Sequence, residues 1–202
     1  LKHITSEKVQ MGPFGSSLKD AVLSEGEYKL YGQENYISGK FSIGSRRVSK
    51  LLFVKLNKYE LLPKDILFTR KGSLGNCRIT PTDIEPGIMD SDSIRVRINK
   101  TTAIPEYFST IAHEANYIKE QFNSGKRGAV LAGLNTSNIE NLTIALPPIS
   151  EQASILKHID TLLKQYSTLF QLIKTSLSLL KEHRTALISA AVTGKIDVRD
   201  QV

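Results

Sequence analysis

Tryptophan is absent from this sequence, cysteine occurs once, and no uncharged apolar run approaches the roughly 20 residues that span a bilayer. The lone thiol, Cys77, has no partner for an internal disulfide, and one cysteine with four histidines makes no cysteine-rich zinc site. This usage fits a reducing compartment and predicts a cytoplasmic location with no membrane partner. The opening stretch Leu1-Lys2-His3-Ile4-Thr5 lacks a signal peptide's apolar core. It also lacks an initiator methionine, so a processed form or a piece of something longer is expected.

Catalytic signatures are missing as well. There is no GxxxxGK[ST], no GxGxxG after a strand, no HExxH and no GxSxG. The pair Asp90/Asp92 in Met89-Asp90-Ser91-Asp92-Ser93 invites a metal reading, but Asp and Ser at this spacing more often build turns. Asp65 in Pro63-Lys64-Asp65-Ile66-Leu67 suits a turn before a strand in the same way. His3, His113, His158 and His183 are scattered, and nothing near Cys77 supplies a base, so a small buried thiol is expected there. An enzyme acting alone is not the reading these residues support, and no cofactor of its own is expected.

What is present divides at Pro147-Pro148. Apolar residues are 40% of the 202 and charged residues 23%, which is too apolar for a disordered chain. Residues 1–146 hold twelve of the thirteen glycines and short apolar runs broken by turn residues, the pattern of a mixed α+β domain. Strands are predicted near 28–31, 52–56, 66–69, 77–80, 93–98 and 142–146. In Ser93-Ile94-Arg95-Val96-Arg97-Ile98 the alternation places Ile94, Val96 and Ile98 toward a core and Arg95 and Arg97 outward. Pro105 starts a helix whose buried face is Tyr107, Phe108, Ile111, Ala115, Ile118 and Phe122 and which ends at Gly125. The expected fold is a curved mixed sheet with a flanking helix.

Residues 150–193 contain neither Gly nor Pro and read as one helix, with Ser150 as N-cap, Glu151 in the first turn and Gly194 as the C-terminal cap. At about 1.5 Å per residue it extends about 66 Å, beyond what the core of a small domain requires. Ile159, Tyr166, Ile173, Leu180 and Leu187 recur every seven residues. Ile155, Leu162 and Leu169 form a second position, which turns polar at Ser176 and His183, and Leu156, Leu163, Phe170 and Leu177 a third. Sustained heptads specify pairing with another helix, and Ile159, Leu162, Tyr166, Leu169, Ile173, Leu180 and Leu187 are the predicted dimerisation residues. A long helix folded back on its own domain is the alternative. The predicted organisation is a globular domain over 1–148, a spacer helix over 149–194 and a tail over 195–202.

The net charge is +7, and residues 1–149 carry 20 Lys and Arg against 15 Asp and Glu, so most of the excess lies in the globular part. Three clusters fall on loops: Arg46-Arg47 with Lys50, Arg70-Lys71 before Gly72-Ser73, and Lys126-Arg127 between Gly125 and Gly128. Glycine beside Arg or Lys lets backbone approach a phosphate, and Arg can also reach a guanine edge. The candidate DNA-binding residues are Arg46, Arg47, Arg70, Lys71, Ser73, Lys126 and Arg127, with Ser16 and Ser17 as weaker polar contacts.

Four segments carry a resemblance to a known family. They are Gly12-Pro13-Phe14-Gly15-Ser16-Ser17-Leu18-Lys19, the run from Leu62 to Gly75 (LPKDILFTRKGSLG), Leu146-Pro147-Pro148-Ile149-Ser150-Glu151-Gln152, and the run from Leu187 to Arg199 (LISAAVTGKIDVR). In this order the chain resembles the specificity subunits of type I restriction–modification systems, as one target-recognition domain followed by one helical region. The resemblance implies a non-catalytic subunit that reads double-stranded DNA. Modification subunits with adenine-N6 methyltransferase activity would bring S-adenosylmethionine, and ATP-dependent restriction subunits would cut. Family members carry two recognition domains and two antiparallel helices, each domain reading half of a split site. This chain has one of each and no internal repeat. It is therefore expected to be a half-length subunit that dimerises through its helix, or else the C-terminal half of a longer one. A coiled-coil adaptor with merely solvated basic loops is the reading from another class.

Overall fold

The computed structural model describes residues 1–14, 17–18, 25–71, 76–124 and 133–196. By its internal contacts the chain forms two compact units, Leu1–Ala153 and Ser154–Val202.

Among the described residues the first unit holds two sheets. One comprises β1 (Gln10–Met11), β4 (Ile66–Thr69), β5 (Cys77–Ile79) and β7 (Ser93–Val96), antiparallel throughout in the order β1-β7-β4-β5. The other comprises β2 (Tyr28–Tyr31), β3 (Arg47–Val48) and β6 (Gly87–Met89). In it β2 is central, antiparallel to β3 and parallel to β6. Each sheet has its own core, and β4 serves both. Ile66 and Phe68 enter the core of the four-stranded sheet, while Leu67 between them enters the other. With both faces covered, the strand reads as a continuous apolar run rather than an alternating one.

That arrangement corrects the expectation for Arg95. Ile94, Val96 and Ile98 are buried as alternation predicts, but Arg95 is also buried. Its Cα partner on β4 is Leu67, so it shares the face that the second core covers. Its guanidinium donates to Glu7 Oε1 at 2.5 Å and to the Glu60 carbonyl. Burial, followed by the neighbouring Arg97, pulls Arg95 below the ordinary arginine range. Arg97, only half-buried, makes a two-pronged pair with Asp65 at 2.7 and 2.8 Å, and this pair holds Arg97 above its ordinary value. Asp65 also closes the predicted turn by accepting from Leu62 N at 2.7 Å.

Two predicted strands are not strands. Residues 52–56 fall largely within helix α2 (Lys50–Lys55), which follows α1 (Gln33–Ser38). Ser49 caps α2 by accepting from Leu52 N at 3.3 Å. Leu51 and Val54, three residues apart, are exposed while Leu52 and Phe53 turn inward, which is helical spacing. Residues 142–146 belong to no strand because side chains take their backbone bonds. Gln121 exchanges two hydrogen bonds with Thr143, Tyr117 Oη accepts from Ala145 N, and Tyr107 Oη donates to the Ala145 carbonyl.

The helix expected from Pro105 onward is interrupted. Ala115 is extended and separates α3 (Pro105–Glu114) from α4 (Asn116–Ser124). The break lets a ring from each helix reach Phe68, with centroids 6.3 Å to Phe108 and 6.1 Å to Phe122. A short α5 (Thr136–Glu140) follows, and then α6 (Ile149–Val192), 44 residues long. The Pro148 carbonyl accepts from Glu151 N and Gln152 N, so Ser150 lies inside the first turn and is not the cap. Gly194, at φ 74°, ends the helix as predicted, with Lys195 N bonded to the Ala190 carbonyl at 2.8 Å. Gln152 is fully buried: its Nε2 donates to the Pro147 carbonyl and its Oε1 accepts from Ile104 N at the start of α3. No described helix is long and apolar enough to cross a membrane.

Candidate nucleic-acid interface

The turn between β6 and β7 organises the candidate cations. Asp90 Oδ1 accepts from Asp92 N at 3.1 Å and from Ser93 Oγ at 2.8 Å, the turn chemistry expected of this pair. The same carboxylate uses its other oxygen on Arg46, whose Nη2 lies 3.0 Å away. Arg46 also pairs with Glu34 at 2.8 Å. Burial opposes the charge on Arg46, but the hydrogen bonds to Glu34 and Asp90 outweigh it and hold the guanidinium above its ordinary value. Lys71 Nζ sits 3.0 Å from Asp92 Oδ1, and Arg70 N donates to the Asp92 carbonyl at 3.0 Å. Gln33 reaches the carbonyl oxygens of Lys71 and Asp92 from α1. Beneath them Tyr36 Oη meets Ser93 Oγ at 2.8 Å, and burial pushes its phenol up.

Arg46, Arg70 and Lys71 are thus fastened to one turn although 24 positions separate the first from the second. Arg47 is not part of this group. Next to Arg46 along the chain, it diverges to bond Glu85 at 2.7 Å, and its neighbourhood borders a separate cavity of about 660 Å³ lined by Lys40, Arg78, Asp83 and Glu85. Ser73, Lys126 and Arg127 lie outside the described residues, as does Ser16; Ser17 is described and exposed. Asp90 and Asp92 were legible as a turn. Their role as anchor for the cations has only one sequence signal, a DxDS run bounded by two apolar strands.

Residues 5–179 match the model of the type I restriction modification DNA specificity domain. The chain belongs to that family. Among curated members it is 26% identical to the EcoKI specificity subunit of Escherichia coli (strain K12) over 147 residues, 70% of this chain and 32% of that protein. It spans about a third of that relative's length. Of solved structures, a chain from a study of complex assembly and conformational transition of the type I R-M system superposes with a TM-score of 0.61 at 15% identity. That match covers 91% of this chain and 42% of the other. The S subunit of a type I system from M. genitalium superposes with a TM-score of 0.53 at 14% identity, covering 94% and 45%. At such identities the likeness speaks to the fold: mixed sheets, helices and a long C-terminal helix, as specificity domains have. Within this family the Gly12, Leu62–Lys71 and Leu146–Gln152 segments have structural duties here. Gly12 N bonds Ser93 O at 2.9 Å, Asp65 and Thr80 close the turn into β4, and Gln152 locks the start of α6.

The predicted dimerisation residues all lie on α6. Ile159 is half-buried, while Leu162, Tyr166, Leu169, Ile173, Leu180 and Leu187 are exposed, Tyr166 at 65%.

Proposed function

We propose that this chain is the DNA-reading part of a type I specificity subunit, recognising one half of a split site on double-stranded DNA. It has no catalytic role of its own. It positions adenine-N6 methyltransferase subunits and ATP-dependent restriction subunits on that site. The observation that carries the reading is the gathering of Arg46, Arg70 and Lys71 on the Asp90–Ser93 turn, in a chain of a DNA specificity family. The carboxylates that hold Arg46 and Lys71, and the backbone bond that holds Arg70, also lower the cost of ordering these residues on a phosphate backbone. Ser73, Lys126 and Arg127 stay candidate contacts on sequence grounds alone, and Arg47, paired with Glu85, is a candidate outside this group.

Self-association through α6 completes the reading. Two copies related by a two-fold axis would recognise a palindromic split site, the helices setting the distance between half-sites. The exposed heptad residues support it, since a run of this length costs hydration until another helix covers it. The second reading, the C-terminal half of a two-domain subunit, is favoured by the chain's covering about a third of its curated relative. There α6 pairs with a second helix of the same longer protein.

Sequencing methylated adenines in the host genome with and without this chain tests the assignment. A methylated motif that disappears with the chain is expected, palindromic for the dimer and asymmetric for the two-domain protein. Binding to that duplex should weaken steeply with salt as phosphate contacts release counterions. Methylation unchanged without the chain, together with sequence-indifferent binding, would instead mark a coiled-coil adaptor.

A further inference from the structure

Phe14 is the feature left unexplained by packing: it is 83% exposed, whereas Pro13 before it is buried. The segment leading to it is not loosely placed. Gly12 N donates to the Ser93 carbonyl at 2.9 Å, and a Cβ on Gly12 would stand 1.8 Å from the Asp90 carbonyl oxygen, so only glycine passes there. The Phe14 carbonyl in turn accepts from Ser17 N at 2.8 Å. The chain therefore presses against the same turn that holds Arg46, Arg70 and Lys71, and then delivers an aromatic ring outward. Phe14 lines a cavity of about 340 Å³ together with Tyr59, Arg70, Lys71 and Asp92. Among the described residues Arg70 has no ion-pair partner, and Lys71 has one, Asp92, near the surface.

A large apolar ring carried on anchored backbone beside two cations suits a polyanion with apolar planes between its charges. Double-stranded DNA has that alternation: phosphates along the strand and stacked bases inside. Proteins that bend DNA insert Phe, Leu or Ile between base pairs, while Arg and Lys hold the flanking phosphates. A protein partner with a matching apolar pocket is the other way to cover the ring, but it gives no use for Arg70 and Lys71 at the same cavity.

We infer that Phe14 is an apolar wedge that packs against a base step of the bound duplex, next to phosphates held by Arg70 and Lys71. This rests on the DNA-reading function proposed above and adds a residue that contacts bases through stacking rather than hydrogen bonds. The test uses the full chain assembled with its methyltransferase subunit. The probe is the duplex motif found by methylation sequencing, with 2-aminopurine placed at each position in turn. Besides the rise at the adenine that the methyltransferase extrudes, fluorescence should rise at one further step as that base unstacks. Phe14→Ala should remove this further rise and weaken binding roughly 10- to 100-fold, the range that loss of one aromatic–base stack gives. Phe14→Leu should keep most of both, and an unchanged circular dichroism melt should show that each variant folds. If the native complex binds its motif specifically but no position other than the extruded adenine brightens, the wedge is wrong while DNA reading stands. If the native complex prefers no sequence, the function beneath it fails too. If Phe14→Ala weakens assembly with the methyltransferase subunit and leaves the further fluorescence rise intact, the ring belongs to a protein contact and the wedge is overturned.

Discussion

The core rings of the first unit and the apolar residues of the long helix have opposite fates. In Leu1–Ala153, Phe68 and Phe108 are fully buried, whereas along α6 Phe170 is 66% exposed with Tyr166 and Leu180 nearly as open. The residue types are alike; the difference is where their partners are. Sheet and helix residues of the first unit find their partners in the same chain. The heptad residues of α6 repeat at a spacing that serves a second helix. Stability in the first unit is therefore intramolecular, and under the proposed self-association that of the helix would depend on concentration.

The largest effect should come from breaking the second half of that contrast. Ile173→Asp, at the middle of the heptad positions, places a charge in the proposed seam. It should convert the full chain from dimer to monomer by light scattering while leaving the melt of Leu1–Ala153 in place. An unchanged mass would remove the helix from the interface. The complementary change, Phe68→Ala, opens a cavity between Phe108 and Phe122 and should cost about 3–5 kcal/mol in denaturant unfolding. It should leave the helix's pairing at high concentration intact, and a loss below about 1 kcal/mol would mean that the core closes around the gap.

The same contrast explains what could be read beforehand. The helix was legible because everything that defines it is local: no Gly or Pro, a seven-residue repeat, a glycine at the end. Its start at Ile149 differs by one residue because Pro148 supplies the first acceptor carbonyl. In the first unit, period two found the faces of β7 but not what covers the second one, so Arg95 was misjudged. The run at 52–56 is too short for periodicity to separate helix from strand. The strand expected at 142–146 failed because Gln121, Tyr117 and Tyr107 take its bonds, a tertiary fact invisible along the chain. For the site, the residue types were legible and the assembly was not. Arg46 and Lys71 meet only through Asp90 and Asp92, and Arg47 leaves for Glu85 because it is one position on.

Gln152 lies in the first unit and holds the first turn of α6 there. Gln152→Ala would leave Ile104 N without its acceptor and the Pro147 carbonyl without its donor. A loss of about 1–3 kcal/mol from the first unit is expected, with the mass in solution unchanged. Equal stability of variant and native chain would show that water replaces both bonds.

Near neutral pH the smallest effect concerns Cys77, which tests whether the first core is as dry as its packing implies. The thiol is buried on β5 beside the Ser109 carbonyl, and burial pushes it from 9.0 up to about 12. Below pH 9 folded and unfolded chains both keep the proton, and the stabilisation is complete. Between pH 9 and 12 the unfolded chain releases it and the folded chain does not, so stability falls as pH rises through that window. Phenols of Tyr31 and Tyr36 are raised too, so the thiol's share is the difference between the native chain and Cys77→Ala, and the variant should lose less over the window. At pH 8.5 iodoacetamide should label Cys77 slowly in the folded chain and rapidly in urea, since the thiolate is the reactive form. Equal labelling rates in the two conditions would mean that water reaches β5, and the sharp division between a closed first core and an open helix would not hold.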